Sequence, residues 1–228
     1  MNWLMPLVGG GLLLVFVVAR GLSVRRTREV RAWAGQHGLE FVAGSDRRIG
    51  IAFLEIPLIG SGRTGARNHA SGQWQGQEIH VFDLVVEPDT EDGRQSSSHH
   101  TCVLVKADLP LIPLCIVPWE HDADLSSDLG LEIVVSGLRA FADGFQVTAT
   151  DPEWAHDILQ PDVQAELLKH PRWRLELGGW YCLVAVPGRL AADRFEEPLA
   201  LARAFLAAIP SAVRAQILGL PAPESSGD

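Results

Sequence analysis

Cysteine is scarce. The 228 residues contain three, Cys102, Cys115 and Cys182, with no CxxC pair among them. An odd, unpaired set argues against a disulfide framework and suits a reducing compartment, where each is expected as a small buried apolar residue. The motifs of the common enzyme classes are also missing: there is no G-x-S-x-G nucleophile turn, no HExxH and no P-loop. Those absences leave only a site assembled from distant positions. Positive charge is thin over most of the chain. From residue 32 onward, fourteen Lys and Arg stand against twenty-seven Asp and Glu, so the body repels nucleic acid and anionic lipid. No nucleic-acid partner is expected.

Charge is absent altogether from Trp3 to Ala19, which reads WLMPLVGGGLLLVFVVA and is closed by Arg20. As a helix these seventeen residues rise about 25 Å, and extension to Val24 brings the span close to the hydrocarbon thickness of a bilayer. A cleaved signal peptide needs basic residues ahead of the apolar run. Here they follow it, as Arg20, Arg25, Arg26, Arg28 and Arg31. The sequence therefore predicts a retained single-pass anchor over 1–24. Its basic collar stays with the cytoplasm, the amino terminus faces out, and the protein sits in the inner (plasma) membrane. Gly9, Gly10 and Gly11 form no GxxxG face.

Gly21 and Ser23 are expected to end the span, with Ser23 capping a separate juxtamembrane helix within 25–38 that Gly38 terminates. Val30, Trp33, Ala34 and His37 share one side of that helix, with the arginines largely opposite. The soluble domain is expected over 39–220 and a short disordered tail over 221–228. Ile49–Ile59, broken by Pro57, reads as an edge strand or irregular segment. Residues 78–87 alternate as a central strand, with Asp83 in line with Ile79 and Val81. Thr101–Ala107 and Leu114–Val117 read as strands joined by a Pro110–Pro113 turn. Trp173–Leu177 and Trp180–Val186 read as a hairpin turning at Gly178–Gly179. Asp151-Pro152-Glu153 signals a helix start, Pro161 begins another helix, and a last helix falls between Ala191 and Ile209. The fold class is α+β: an N-terminal transmembrane helix, a mainly antiparallel sheet with late-inserted helices, and a C-terminal helix.

Candidate chemistry is sparse. Gly60-Ser-Gly-Arg-Thr-Gly65 matches GxGxxG in letters but lacks the strand and helix that a phosphate loop requires. Glu120, His121 and Asp122, or Asp83, are the residue types that move protons, and they define an enzyme alternative. His99, His100, Cys102 and Cys115 invite a zinc reading, but no ligand spacing supports it. No cofactor and no metal are expected.

Arg67-Asn-His-Ala-Ser-Gly72, Trp74, Gly76 and Val81-Phe-Asp83 in the first half, with Phe145-Gln-Val147, Asp151-Pro152, Ala155-His-Asp-Ile-Leu159, Pro161 and Leu167-Leu168 in the second, resemble an uncharacterised bacterial family of membrane-anchored proteins with a soluble domain. The resemblance implies the same architecture. It implies no catalytic residue, because the family has no established activity and its shared motifs are structural. The reading is a membrane-anchored cytosolic domain, non-catalytic, that meets membrane lipids through its anchor and binds a protein or lipid partner.

Overall fold

The computed structural model describes residues 4–60, 64–87, 97–119, 131–134 and 138–219, with backbone alone for 4–19. In chain order the elements are α1 (Leu4–Gln36), β1 (Glu40–Ser45), α2 (Arg48–Ala52), α3 (Pro57–Gly60), β2 (Thr64–Trp74), β3 (Gln77–Val86), β4 (Ser98–Pro118), β5 (Glu132–Val134), α4 (Arg139–Gly144), β6 (Phe145–Ala149), α5 (Pro152–Ile158), α6 (Pro161–Leu168), β7 (Arg174–Pro187), a 3-10 turn at Ala192–Arg194, α7 (Glu196–Ala208) and α8 (Ser211–Ile217).

α1 does not break at Gly21 and Ser23. Its 33 residues run through Gly21 and Ser23 as one helix of about 50 Å. A glycine in a helix interior costs only about 1 kcal/mol relative to alanine. The turns beyond it are fixed by packing, since Val30, Trp33 and Ala34 are all buried against the sheet. Among the residues whose side chains are described, from Arg20 onward, no single helix is long and apolar enough to cross a membrane. The stretch Ala192–Ala208 and α8 pass that test together across an 81° bend, but Phe195, Leu199, Ala202, Leu206 and Val213 spend that apolar surface on the core.

The sheet has seven antiparallel strands in the order β1-β2-β3-β4-β6-β5, with β7 on β4. Strand alternation sorts its side chains onto two faces. Ile79, Val81, Val103, Val105, Cys182 and Val184 meet α1 and α7 in the larger core. Phe82, Leu84, Cys102, Leu104, Leu183 and Ala185 meet Phe53, Ile56, Leu58 and Ile59 on the opposite face. The expectation of a central strand at 78–87 is met, and both its faces are apolar because both are covered.

Three local expectations are overturned. Residues 49–59 form the short helices α2 and α3, which lid the second face. β4 passes straight through Pro110–Pro113. There it has left β3 at Val105 and not yet met β6 at Leu114, so it pairs with β7 only, at Leu111. A missing proline N–H is tolerated on such a one-sided stretch. Likewise β7 is one strand, and Gly178–Gly179 is no hairpin. The glycines admit the lid: a Cβ on Gly178 would lie 2.1 Å from the Glu55 carbonyl oxygen, and Gly179 has φ +56°. Gly178→Ala is expected to destabilise the fold by about 2–3 kcal/mol, because backbone rather than a movable side chain blocks the methyl. A urea midpoint unchanged by the substitution would contradict this packing.

The Asp151 cap is as expected, its carboxylate accepting the Trp154 N–H at 3.0 Å ahead of Pro152. All three cysteines are buried thiols. Burial pushes each of them above the ordinary thiol range.

Candidate functional site

The chemistry-bearing side chains gather at the two faces of the β2–β3 pair. A bulge places them. Between Arg67 and Ala70, β2 carries one residue more than its partner, and Asn68 takes φ +53°, a conformation that asparagine tolerates better than most residues. Asn68 then reaches the α1 face, and His69 reaches the lid face.

On the α1 face, Arg26 is 4% exposed although it belongs to the basic collar. Its Nε lies 3.1 Å from both carboxylate oxygens of Asp83, and its Nη2 donates to Asp83 Oδ1 at 2.6 Å. The Leu190 carbonyl accepts from Nη1 at 2.6 Å, and Thr101 Oγ1 accepts from Nη2 at 3.3 Å. Asn68 Nδ2 donates to Asp83 Oδ2 at 2.9 Å, and Thr27 Oγ1 donates to Asn68 Oδ1 at 2.9 Å. The Phe195 ring lies beneath the guanidinium, 5.2 Å away. Asp83, a sequence candidate for acid–base work, is therefore the counter-charge of Arg26. A carboxylate held by a fork of donors is a clamp.

Of the other collar residues, Arg20, Arg25, Arg28 and Arg31 are exposed. Arg25 pairs with Glu29, and Arg31 lies 5.2 Å from the Phe41 ring. The expectation that the arginines lie opposite Trp33 thus fails at Arg26. The spacing had marked it, since Arg26, Val30, Trp33 and Ala34 share one helical stripe. Glu120, His121 and Asp122 lie outside the described residues. Trp119 is exposed and donates its Nε1–H to the Ala142 carbonyl at 2.8 Å. Among the described residues no group of three His, Cys, Asp or Glu is placed to hold a metal ion.

On the lid face, sequence reading missed a chain of titratable groups. Asp46, His69, His80 and Glu78 follow one another at 3.0, 3.0 and 3.3 Å. Arg48 holds Asp46, while Lys106 and Tyr181 donate to Glu78 at 2.9 and 2.7 Å. Glu78 and Lys106 also line a cleft of about 470 Å³ with Gln77, Asp108, Arg203 and Arg214. The signal was present in the strand pattern: Glu78 and His80 have the parity of Phe82 and Leu84, so they point inward.

The electrostatics follow from this arrangement. The hydrogen bond from Arg48, with help from His69 and against burial, holds Asp46 below the usual carboxylate range. Burial raises the Glu78 carboxyl, but the bonds from Lys106 and Tyr181 outweigh it and set the group at about 2. Burial lowers His69, and burial with the charge of His69 lowers His80 from 6.5 to about 4. A folded-state value below the unfolded one means that the folded chain binds fewer protons. The contribution of His80 is complete above pH 6.5 and is lost as pH falls towards 4. Folding stability is expected to drop by about 2–3 kcal/mol between pH 7 and 4. Denaturant midpoints across that range check this, and a flat profile would contradict it.

No family model matches the sequence, and no curated protein does. The backbone matches the crystal structure of the mycobacterial trehalose monomycolate transport factor A, TtfA, with a TM-score of 0.59 and 14% identity, over 88% of this chain and 98% of that one. The chain is similar in fold to TtfA. The likeness to TtfA covers most of both chains rather than one motif. At 14% identity it concerns the backbone path, so no residue role passes from TtfA to this chain.

Proposed function

We propose that this chain is a membrane-anchored, non-catalytic accessory module for the movement of an envelope lipid, acting by presenting its domain to a protein or lipid partner. The observation that carries the proposal is the continuity of α1. The helix that begins at the uncharged run packs one face of its last turns on the core, and Arg26, Trp33 and Ala34 fix it there. A domain built on its own anchor helix holds a set orientation to the membrane, which a flexible tether would not give. TtfA, of similar fold, is named as a transport factor for a lipid, and this supports the choice of lipid movement over other roles.

In this reading residues 1–24 span the inner membrane with the amino terminus outside. The four exposed collar arginines meet lipid headgroups on the cytoplasmic side. The acidic body keeps the rest of the domain off the bilayer and away from nucleic acid. Residues 39–220 do the binding.

The test is a native-cell deletion followed by envelope-lipid analysis. A lipid class should accumulate on the side of its synthesis, and the full chain should restore its distribution while residues 25–228 should not. An unchanged lipid distribution would remove the transport role. Full restoration by residues 25–228 would remove the anchor from the mechanism.

A further inference from the structure

The chain Asp46–His69–His80–Glu78 can be read by counting protons. Its three contacts join two carboxylates through two imidazoles: Asp46 Oδ2 to His69 Nδ1, His69 Nε2 to His80 Nδ1, and His80 Nε2 to Glu78 Oε1. Both carboxylates are held ionised by donors beyond the chain, Arg48 at one end and Lys106 and Tyr181 at the other. They only accept. Each contact therefore needs one ring proton, three in all, and two neutral imidazoles carry two.

One contact must go without a hydrogen. The longest, 3.3 Å between His80 Nε2 and Glu78, is the one that fits, because the other two lie at 3.0 Å. Both rings are then Nδ1–H tautomers. Free histidine prefers the other tautomer, so the pair carries a recognisable mark. One added proton at His80 Nε2 completes the chain. A second added proton has no place, since it would set N–H against N–H across the His69–His80 contact.

We infer that His69 and His80 form one buried binding site that takes up a single proton between Asp46 and Glu78. The groups facing it are Asp46 from the β1–α2 connection, Arg48 from α2, Glu78 from β3, Lys106 from β4 and Tyr181 from β7, with the Phe53 ring edge-on to both His80 and Tyr181 at 4.8 Å. The site opens through Glu78 and Lys106 on the cleft. Proton uptake at His80 draws Glu78 towards the imidazolium and loosens its hold on the Lys106 ammonium, so that the cleft wall gains positive charge. The desolvation that lowers both rings keeps the site empty at neutral pH and fills it in acid.

The experiment is nitrogen NMR of the full chain labelled at its eight histidines, followed from pH 8 down to pH 4. The expected result is Nδ1–H on His69 and on His80 at pH 7, then uptake of one proton, at His80 Nε2, as the pH falls. Either ring found as the Nε2–H tautomer at pH 7, or two protons taken up by the pair, would overturn the inference. Glu78→Gln gives a second arm, because its carboxamide N–H supplies the hydrogen that the neutral chain lacks. Proton affinity of the pair should fall at least tenfold in that variant, and an unchanged titration would count against the site. If that variant does not fold, the tautomers and proton count of the native chain decide the matter.

Discussion

Arg26→Ala should cost about 3–5 kcal/mol of folding stability, the range found when one partner of a buried ion pair is removed. The cost arises at Asp83. Its side chain is 13% exposed, and without the guanidinium it keeps, among the described residues, only the Asn68 amide as a donor. The Leu190 carbonyl and the Thr101 hydroxyl lose a donor in the same step. In a domain of this size the melting temperature should fall by about 10 °C. Arg26→Lys should lie between, since a single ammonium cannot reach Asp83, Thr101 and Leu190 in the geometry of a planar fork. The specific sign of the clamp is where the loss appears: protease cleavage should begin at the junction of α1 with the sheet. A melting temperature within about 2 °C of the native chain would mean that the clamp contributes little.

Glu176→Ala should be as severe, for a different connection. Glu176 is fully buried, pairs with Arg174, and accepts the Leu58 N–H at 2.8 Å. It ties β7 to the lid that covers the second face. Alanine leaves Arg174 without its counter-charge and Leu58 without this acceptor, so a loss of about 3–5 kcal/mol is expected. Glu176→Gln keeps an oxygen for Leu58 and removes only the charge, and should recover part of the loss. Chemical denaturation of the two variants separates the hydrogen bond from the ion pair, and equal losses would show that the Leu58 bond contributes nothing.

The sheet was legible in the sequence wherever alternation was clean. Ile79 and Val81 against Phe82 and Leu84 give β3, its central position and its two covered faces. Asp151-Pro152 gives a helix start through capping chemistry that is local and complete in itself. Continuity was not legible. Pro110–Pro113 and Gly178–Gly179 carry the letters of turns, and what cancels those letters is tertiary: a one-sided stretch of ladder in the first case, the close approach of Glu55 in the second. Gly21 and Ser23 failed as a helix end for a similar reason, since docking of the later turns outweighs a cost of about 1 kcal/mol. Arg26 was hidden by its company. Among five arginines beside an apolar run it reads as a headgroup contact, and only its place on the Val30–Trp33 stripe separates it from the rest. His80 showed only its parity with Phe82 and Leu84, and its pairing with His69 was not legible, because a site made by adjacent strands has no spacing of its own in the sequence.

The central claim is that the domain is an interaction module held in place at the membrane, and proximity labelling in the native cell tests it most directly. The labelling enzyme is fused after Asp228, and the control carries the same enzyme on a chain ending at Gly38. The account predicts a discrete set of membrane-transport proteins enriched over the control. Identical labelling by the two fusions would contradict it, since the domain would then bring nothing to the membrane that the anchor helix does not.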